Sequence, residues 1–349
     1  MDETRAQAYR QLIQTLLNCS NGEKPQILEA NLELVDAGFL QVCEVVAENL
    51  AEEGQENQAN YLRNLTSQLG QFLGMNNEGD SERSEIENSQ EYENFILDLL
   101  QAEEDSNSDI KVIYPMLGGR QHLLNDRFAD ILQQVARNLI AEHPEAIESI
   151  LDLIGNLSNH ISEFPLGKRA NNLEIAITGY QILLNNWEPG SENWATTQNN
   201  LALAYTYRIR GEKSENIESA IAYFTAALTI RTPDAFPEDW AATQNNLAIA
   251  YSDRIRGEKA ENIELAIASF TAALSVYTRD AFPEDWARTQ NNLAIAYSNR
   301  IRGEKAENIE LAIASFTAAL TVYTRDAFPE QWAMTQNNLA TAYSDRTRG

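Results

Sequence analysis

Four tryptophans, Trp194, Trp240, Trp286 and Trp332, recur at intervals of 46 residues, each inside the frame Trp-Ala-x-Thr-Gln-Asn-Asn-Leu-Ala. A fixed period of this length calls for stacked supersecondary units rather than one closed core. The copy Trp240 to Asp285 differs from Trp286 to Gln331 at four of 46 positions, Ala242/Arg288, Asp253/Asn299, Ser275/Thr321 and Asp285/Gln331, which marks a recent tandem duplication. Three full copies and a partial fourth are present. Upstream, Asn172-Leu-Glu-Ile-Ala-Ile-Thr-Gly-Tyr180 matches Asn262-Ile-Glu-Leu-Ala-Ile-Ala-Ser-Phe270, so a diverged half copy leads into Trp194 and the array starts near Leu166.

Within a copy, Trp240, Leu247, Tyr251 and Ile255 recur at helical spacing and predict a helix A from about Glu238 to Arg256. Gly257 is its expected stop. Ile263, Ala266, Ile267, Phe270, Ala273 and Leu274 trace a second stripe, helix B, ending near Thr278. Phe282-Pro283-Glu284-Asp285 leads into the next helix A, with proline tolerated and acids favoured in a first turn. One hairpin of this size cannot bury both stripes, so the copies must stack into a solenoid.

At this point the residues resemble the tetratricopeptide repeat: Leu247-Ala248 and Tyr251 match its Leu-Gly and Tyr in helix A, and Ala266, Phe270 and Ala273 keep its helix B spacing. The copies depart from it in two ways. Gln244 stands at the family's early Trp position, and the period is 46 against about 34, the surplus lengthening both turns. The expected fold is therefore all-α, a right-handed tetratricopeptide-like helical-hairpin solenoid with 46-residue repeats, occupying 166–349 and preceded by an acidic helical module over 1–165.

That module is itself duplicated. Gln7-Ala-Tyr-Arg-Gln-Leu-Ile-Gln-Thr-Leu-Leu17 aligns with Gln90-Glu-Tyr-Glu-Asn-Phe-Ile-Leu-Asp-Leu-Leu100 at an offset of 83, and Val46-Ala-Glu-Asn-Leu50 with Val135-Ala-Arg-Asn-Leu139 at 89. Two roughly three-helix units are expected, joined by a polar linker over about 75–89. The whole combination resembles the front part of cyanobacterial CHAT-domain proteins, in which a caspase-like domain with a His and Cys dyad follows the repeats. No such dyad maps onto this chain. It stops at Arg348-Gly349, in mid-hairpin, and the uncovered stacking face there predicts self-association.

Charge and chemistry narrow the function. The net charge of −26 is concentrated in the module, where 1–165 hold 30 acids and 9 bases, against 22 and 17 in 166–349. Such a surface repels phosphate and anionic lipid, which disfavours nucleic-acid and membrane binding and leaves a protein or peptide as the expected partner. The acidic opening lacks a signal peptide, and no stretch reaches the roughly 18 to 20 apolar residues of a membrane helix, so a cytoplasmic protein is expected. Cys19 and Cys43 lie in apolar helical patterns and are expected to be reduced and buried. His122, His143 and His160 have no metal-ligand neighbour at helical spacing, and Gly118-Gly119 is only a turn. Nothing calls for a cofactor, a metal or a catalytic site.

The candidate site is a stripe on helix A at 242, 246, 249 and 253, roughly opposite the packed Trp and Leu face. Its first position reads Thr196, Ala242, Arg288 and Met334, and its last Tyr207, Asp253, Asn299 and Asp345. Between them stand Asn200, Asn246, Asn292 and Asn338, to which the resemblance assigns the role of lining a concave groove and holding peptide backbone. The lysine that accompanies this Asn in carboxylate clamps is replaced by Asn245. The paired Asn245-Asn246 are poor helix formers, and an inter-repeat hydrogen-bond ladder is one expectation for them. The tryptophans are expected in the core. Drift on a free surface and selection on a partner-reading groove both accommodate four differences between copies. The expected function is a protein-binding module, the sensing or regulatory part of a larger CHAT-type protein, with a free-standing assembly scaffold as the alternative.

Overall fold

The computed structural model describes residues 3–19, 24–52, 55–72 and 78–346, and all regular structure in them is helical. The chain divides into two compact units, 1–90 and 91–349.

The first unit contains α1 (Glu3–Asn18), α2 (Lys24–Ala30), a 3-10 turn at Leu32–Leu34, α3 (Ala37–Glu52) and α4 (Glu56–Phe72). Its core is Tyr9, Leu12, Ile13, Leu16, Phe39, Cys43, Ala47, Ala59 and Leu62. The second unit opens on the same order: α5 (Glu78–Ser106, within which the division falls), α6 (Ile110–Gly119), a 3-10 turn at Gln121–Leu123, α7 (Asp126–Glu142) and α8 (Ile147–Glu163). The duplication extends to its fastenings. Tyr9 Oη donates to Asp36 Oδ1 (2.7 Å), which accepts from the Phe39 amide at the start of α3. Asn125 Nδ2 donates to Tyr92 Oη (2.7 Å), while Asn125 Oδ1 caps α7 by accepting from the Arg127 amide. A tyrosine on one helix thus holds the capping residue of another, satisfying donors that a helix start leaves open. Thr66 and Ser158 each return a hydroxyl to the carbonyl four residues back.

Among the described residues the first half thus has four α-helices rather than three, and α5 to α8 follow the same order. Of the linker expected over about 75–89, 75–77 lie outside the described residues, and the remainder is helical, since α5 starts at Glu78. The segment holds no proline, and extending a helix from an anchored apolar nucleus costs far less than starting one.

The array follows as α9 (Arg169–Asn186), then hairpins α10/α11 (Glu192–Thr206, Lys213–Ala227), α12/α13 (Pro237–Asp253, Lys259–Ala273) and α14/α15 (Pro283–Ser298, Lys305–Ala319), and α16 (Pro329–Arg346). Each hairpin packs helix A on its own helix B, and each B also packs on the next A. Phe224, Phe270 and Phe316 fill the same buried position in successive copies. Tandem stacking of this kind needs only nearest-neighbour contacts.

Four expectations shift. The array begins one helix earlier than Leu166, because α8 is the helix A of the half copy: Asn172 Nδ2 donates to the carbonyls of Phe164 (3.3 Å) and Leu166 (3.0 Å), just as Asn262 does to Arg254 (3.4 Å) and Arg256 (2.9 Å). Gly179 on α9 makes this packing fit, since a Cβ there would overlap Ser158 Oγ of α8. Consequently no core boundary falls at 165; one apolar cluster runs from Tyr92 through Leu157, Ile161, Phe164 and Leu173 to Leu201. Finally, helix A stops at Asp253, and Ile255 lies beyond it, 60% exposed, rather than completing the buried stripe. Arg254 leaves the helix with an extended backbone (ψ 126°), its guanidinium pinned on the preceding copy and its carbonyl turned to Asn262. Gly257 turns the chain with φ +80°, a conformation that costs glycine little. Helix B likewise ends at Ala273, with tight turns carrying the chain to Tyr277.

The A-helix face as candidate functional site

The turn motif Arg-Ile-Arg-Gly-Glu-Lys has a structural explanation at two positions, its first arginine and its glycine, and at the asparagine that follows it. Arg254 grips Glu218 of the previous helix B with two parallel bonds of 2.8 Å, and Arg208–Glu174 and Arg300–Glu264 repeat the arrangement. Arg346 meets Glu310 at 2.6 Å. Forked pairs of this geometry fix orientation as well as adding attraction. The glycine supplies the left-handed turn, and the buried asparagine beyond it satisfies the turn carbonyls.

The arginine hydrogen bonds hold the Glu218 and Glu264 carboxyls below the usual carboxylate range, against the opposing effect of burial. A pKa lower in the folded state means that the stabilisation is present above the unfolded value of about 4.3 and is lost as pH falls through the folded value. The double variant Glu218→Gln, Glu264→Gln should therefore lose less stability than the parent when denaturant midpoints are compared from about pH 6 down to pH 3. Parallel acid limbs for the two proteins would show that these pairs do not contribute.

The inter-repeat ladder is made by the first asparagine of each pair. Thr289 Oγ1 donates to Asn245 Oδ1 (3.1 Å), and Thr335 Oγ1 to Asn291 Oδ1 (3.2 Å), with all four side chains buried. The first junction differs. Arg231 stands where Tyr277 and Tyr323 stand in later copies, only 4% exposed, with Nη1 on Thr243 Oγ1 (3.1 Å) and Nη2 on Thr196 Oγ1 (2.8 Å). Thr243 turns its proton to the Asp239 carbonyl instead of to Asn199, whose Oδ1 is buried without a partner; Gln198 Oε1 and Arg231 Nε are likewise buried and unpartnered. Burial lowers the Arg231 pKa, with Asp239 and Glu192 opposing.

On the other side of each helix A, none of the twelve sequence-selected residues is buried. Thr196 and Ala242 are partly exposed, Arg288 and Met334 fully so; Tyr207, Asp253 and Asn299 are exposed and Asp345 partly so. Asn200, Asn246, Asn292 and Asn338 are all partly exposed. Successive A helices also touch one another, α8 with α10, α10 with α12, α12 with α14 and α14 with α16. Five carry side-chain partners: Thr196 accepts from Arg231, Asn200 Nδ2 donates to Asn159 Oδ1 (3.1 Å), Asp253 lies 3.9 Å from Lys213 Nζ, Asn292 Oδ1 accepts from Asn291 Nδ2 (3.5 Å), and Arg288 pairs with Asp285 one turn earlier on its own helix. Asp285 falls in register with 288, 292, 295 and 299, so three of the four differences between the near-identical copies lie on this one stripe. The fourth, Ser275/Thr321, keeps the same hydroxyl-to-carbonyl bond.

The tryptophans sit among packed residues: Trp240 and Trp286 lie partly buried against Ala241, Ala273, Tyr277 and Phe282. Cys43 is fully buried, and burial pushes its thiol up to about 12, while Cys19 is only partly buried. His122 and His143 are exposed. His160 is not a surface residue: its Nδ1 lies 2.7 Å from Glu103 Oε1, a carboxylate only 1% exposed. Sequence spacing could not reveal that pair, since the partners lie 57 positions apart. Among the described residues no cluster of His, Cys, Asp and Glu is arranged to hold a metal ion, and no helix is long and apolar enough to cross a membrane.

These features define an all-helical protein whose second unit carries a stack of helical hairpins. Comparison with protein-family models and with curated proteins finds no match.

Proposed function

We propose that the array is a tetratricopeptide-type module that binds a protein or peptide along the A-helix stripe, without chemistry of its own. The observation that carries this reading is the placing of three of four copy differences on a single unburied stripe. Drift would scatter them over the exposed turns as well. The stripe offers a different surface at each step: Tyr207 in the first copy, Asp253 in the second, Arg288 in the third, and Met334, 53% exposed, in the fourth. An extended segment crossing successive A helices would meet these in order, which suits selection of one partner over others. In keeping with the resemblance of the whole chain to CHAT-domain proteins, we read it as the cytoplasmic sensing part of a longer, caspase-like protein.

Quantitative affinity capture from the source cells tests this. A partner retained by the parent chain should fall at least about fivefold with Arg288→Ala, a loss of about 1 kcal/mol, and be unchanged by Lys259→Glu at the exposed start of α13. Equal small effects of both changes would remove the stripe from consideration.

A further inference from the structure

The edge formed by the A-to-B turns carries a second surface that the stripe does not use. Ile209, Ile255 and Ile301 are 61%, 60% and 58% exposed, one per turn, at the same position of each full copy. The fold explains the residues around them but not these. Arg254 is needed for Glu218, Gly257 for its positive φ and Asn262 for the turn carbonyls, whereas the isoleucine side chain belongs to none of the apolar clusters. The first and second copies have diverged at positions such as Tyr207/Asp253, Ser219/Leu265 and Arg231/Tyr277, yet Arg-Ile-Arg-Gly-Glu-Lys is unchanged between them. A single exposed isoleucine is ordinary; an evenly spaced row of three at matched exposure is an apolar edge.

We propose that this edge pairs with the same edge of a second copy of the chain. Two features select that occupant. The row has the period of the array itself, so only a partner of equal period brings all three isoleucines into contact at once. The turns are also balanced in charge: around Ile255 the exposed groups are Arg256, which reaches Glu215 of the copy before it (3.5 Å), and Lys259 against Glu258 and Glu261; the turn at Ile301 keeps the pattern, whereas in the first copy Arg210 is partly buried on Asp126 and Asn171. Opposite signs therefore meet when the edge faces itself, as an isologous two-fold contact requires. With equal numbers of each sign the turns have no net charge to draw in a strongly acidic partner or an anionic lipid surface.

The test is sedimentation equilibrium of the full chain at up to about 100 µM, a range that populates weak interfaces. A reversible dimer is expected, reduced to monomer by Ile209→Ser, Ile255→Ser and Ile301→Ser together; the three side chains are exposed, and an unchanged thermal transition would verify the fold. A two-fold pairing sets Ile255 against its mate in either direction of travel, so Ile255→Cys in a Cys19→Ser background should give a covalent dimer under mild oxidation. Association through the open end of the array is distinguished by Ala340→Glu on α16, which should leave the dimer intact. A monomeric parent chain, or a dimer indifferent to the triple serine variant, overturns the proposal.

Discussion

Phe270→Ala is expected to cost about 3–5 kcal/mol, the range for emptying a buried aromatic position. Phe270 is 1% exposed and packs with Ala248, Ile263, Ala266, Ile267, Leu293 and Ala296, so its ring joins α12, α13 and α14 at once. In a stack held by nearest-neighbour contacts the damage should stay local. Hydrogen exchange should accelerate in α12 to α14 and remain as in the parent protein through α1 to α4. A uniform increase along the chain would mean that the array unfolds as one cooperative body.

Arg231→Tyr should act in the opposite sense and stabilise the protein by about 1–3 kcal/mol, the cost of leaving a buried polar group unsatisfied. The present residue buries a cation against Asp239 (3.3 Å), with its own Nε unpartnered, and Asn199 Oδ1 at the same junction has no partner either. Replacing a buried ion by a well-packed, largely apolar side chain is often neutral or favourable. The site already has the surroundings that tyrosine uses elsewhere: Tyr277 packs on Phe282 at 5.6 Å and Tyr323 on Phe328 at 5.5 Å, and Phe236 is the equivalent ring in the first copy. With the guanidinium gone, Thr243 is free to donate to Asn199 as Thr289 donates to Asn245. The melting temperature should rise by about 2–4 °C per kcal/mol for a body of this size. A lower melting temperature would show that the ties of Arg231 to Thr196, Thr243 and Asp239 outweigh its desolvation.

The stripe reading and the edge reading are separable by these variants. Arg288 lies on helix A and Ile255 in the turn beyond it, so each can be changed without touching the other. The first junction bears on both, because Arg231 holds Thr196, the first residue of the stripe, from behind.

How much of this was legible follows from the range of the interactions concerned. Period, hairpin and packed face were readable because they rest on residues three, four and 46 apart, and the 46-residue copies repeat the message. The duplicated module was readable for the same reason, through Tyr9/Tyr92 and Val46/Val135. The unburied face of helix A follows from the sequence too, since the face opposite a buried one on a helix is set by geometry. What escaped depends on partners distant in sequence. Ile255 fits the helical period, but Glu218, 36 positions before Arg254, ends the helix first. Helix α8 shares no Trp-Ala-x-Thr-Gln-Asn-Asn frame with the repeats, yet Leu157 and Ile161 present an adequate apolar face, and packing selects shape and burial rather than residue identity. The sequence by itself thus determined an all-helical, periodic chain with one face to bury and one to spare. Only the tertiary structure decided where the array begins, which polar groups lie inside it and which isoleucines lie outside, because burial is a property of neighbours that local periodicity does not name.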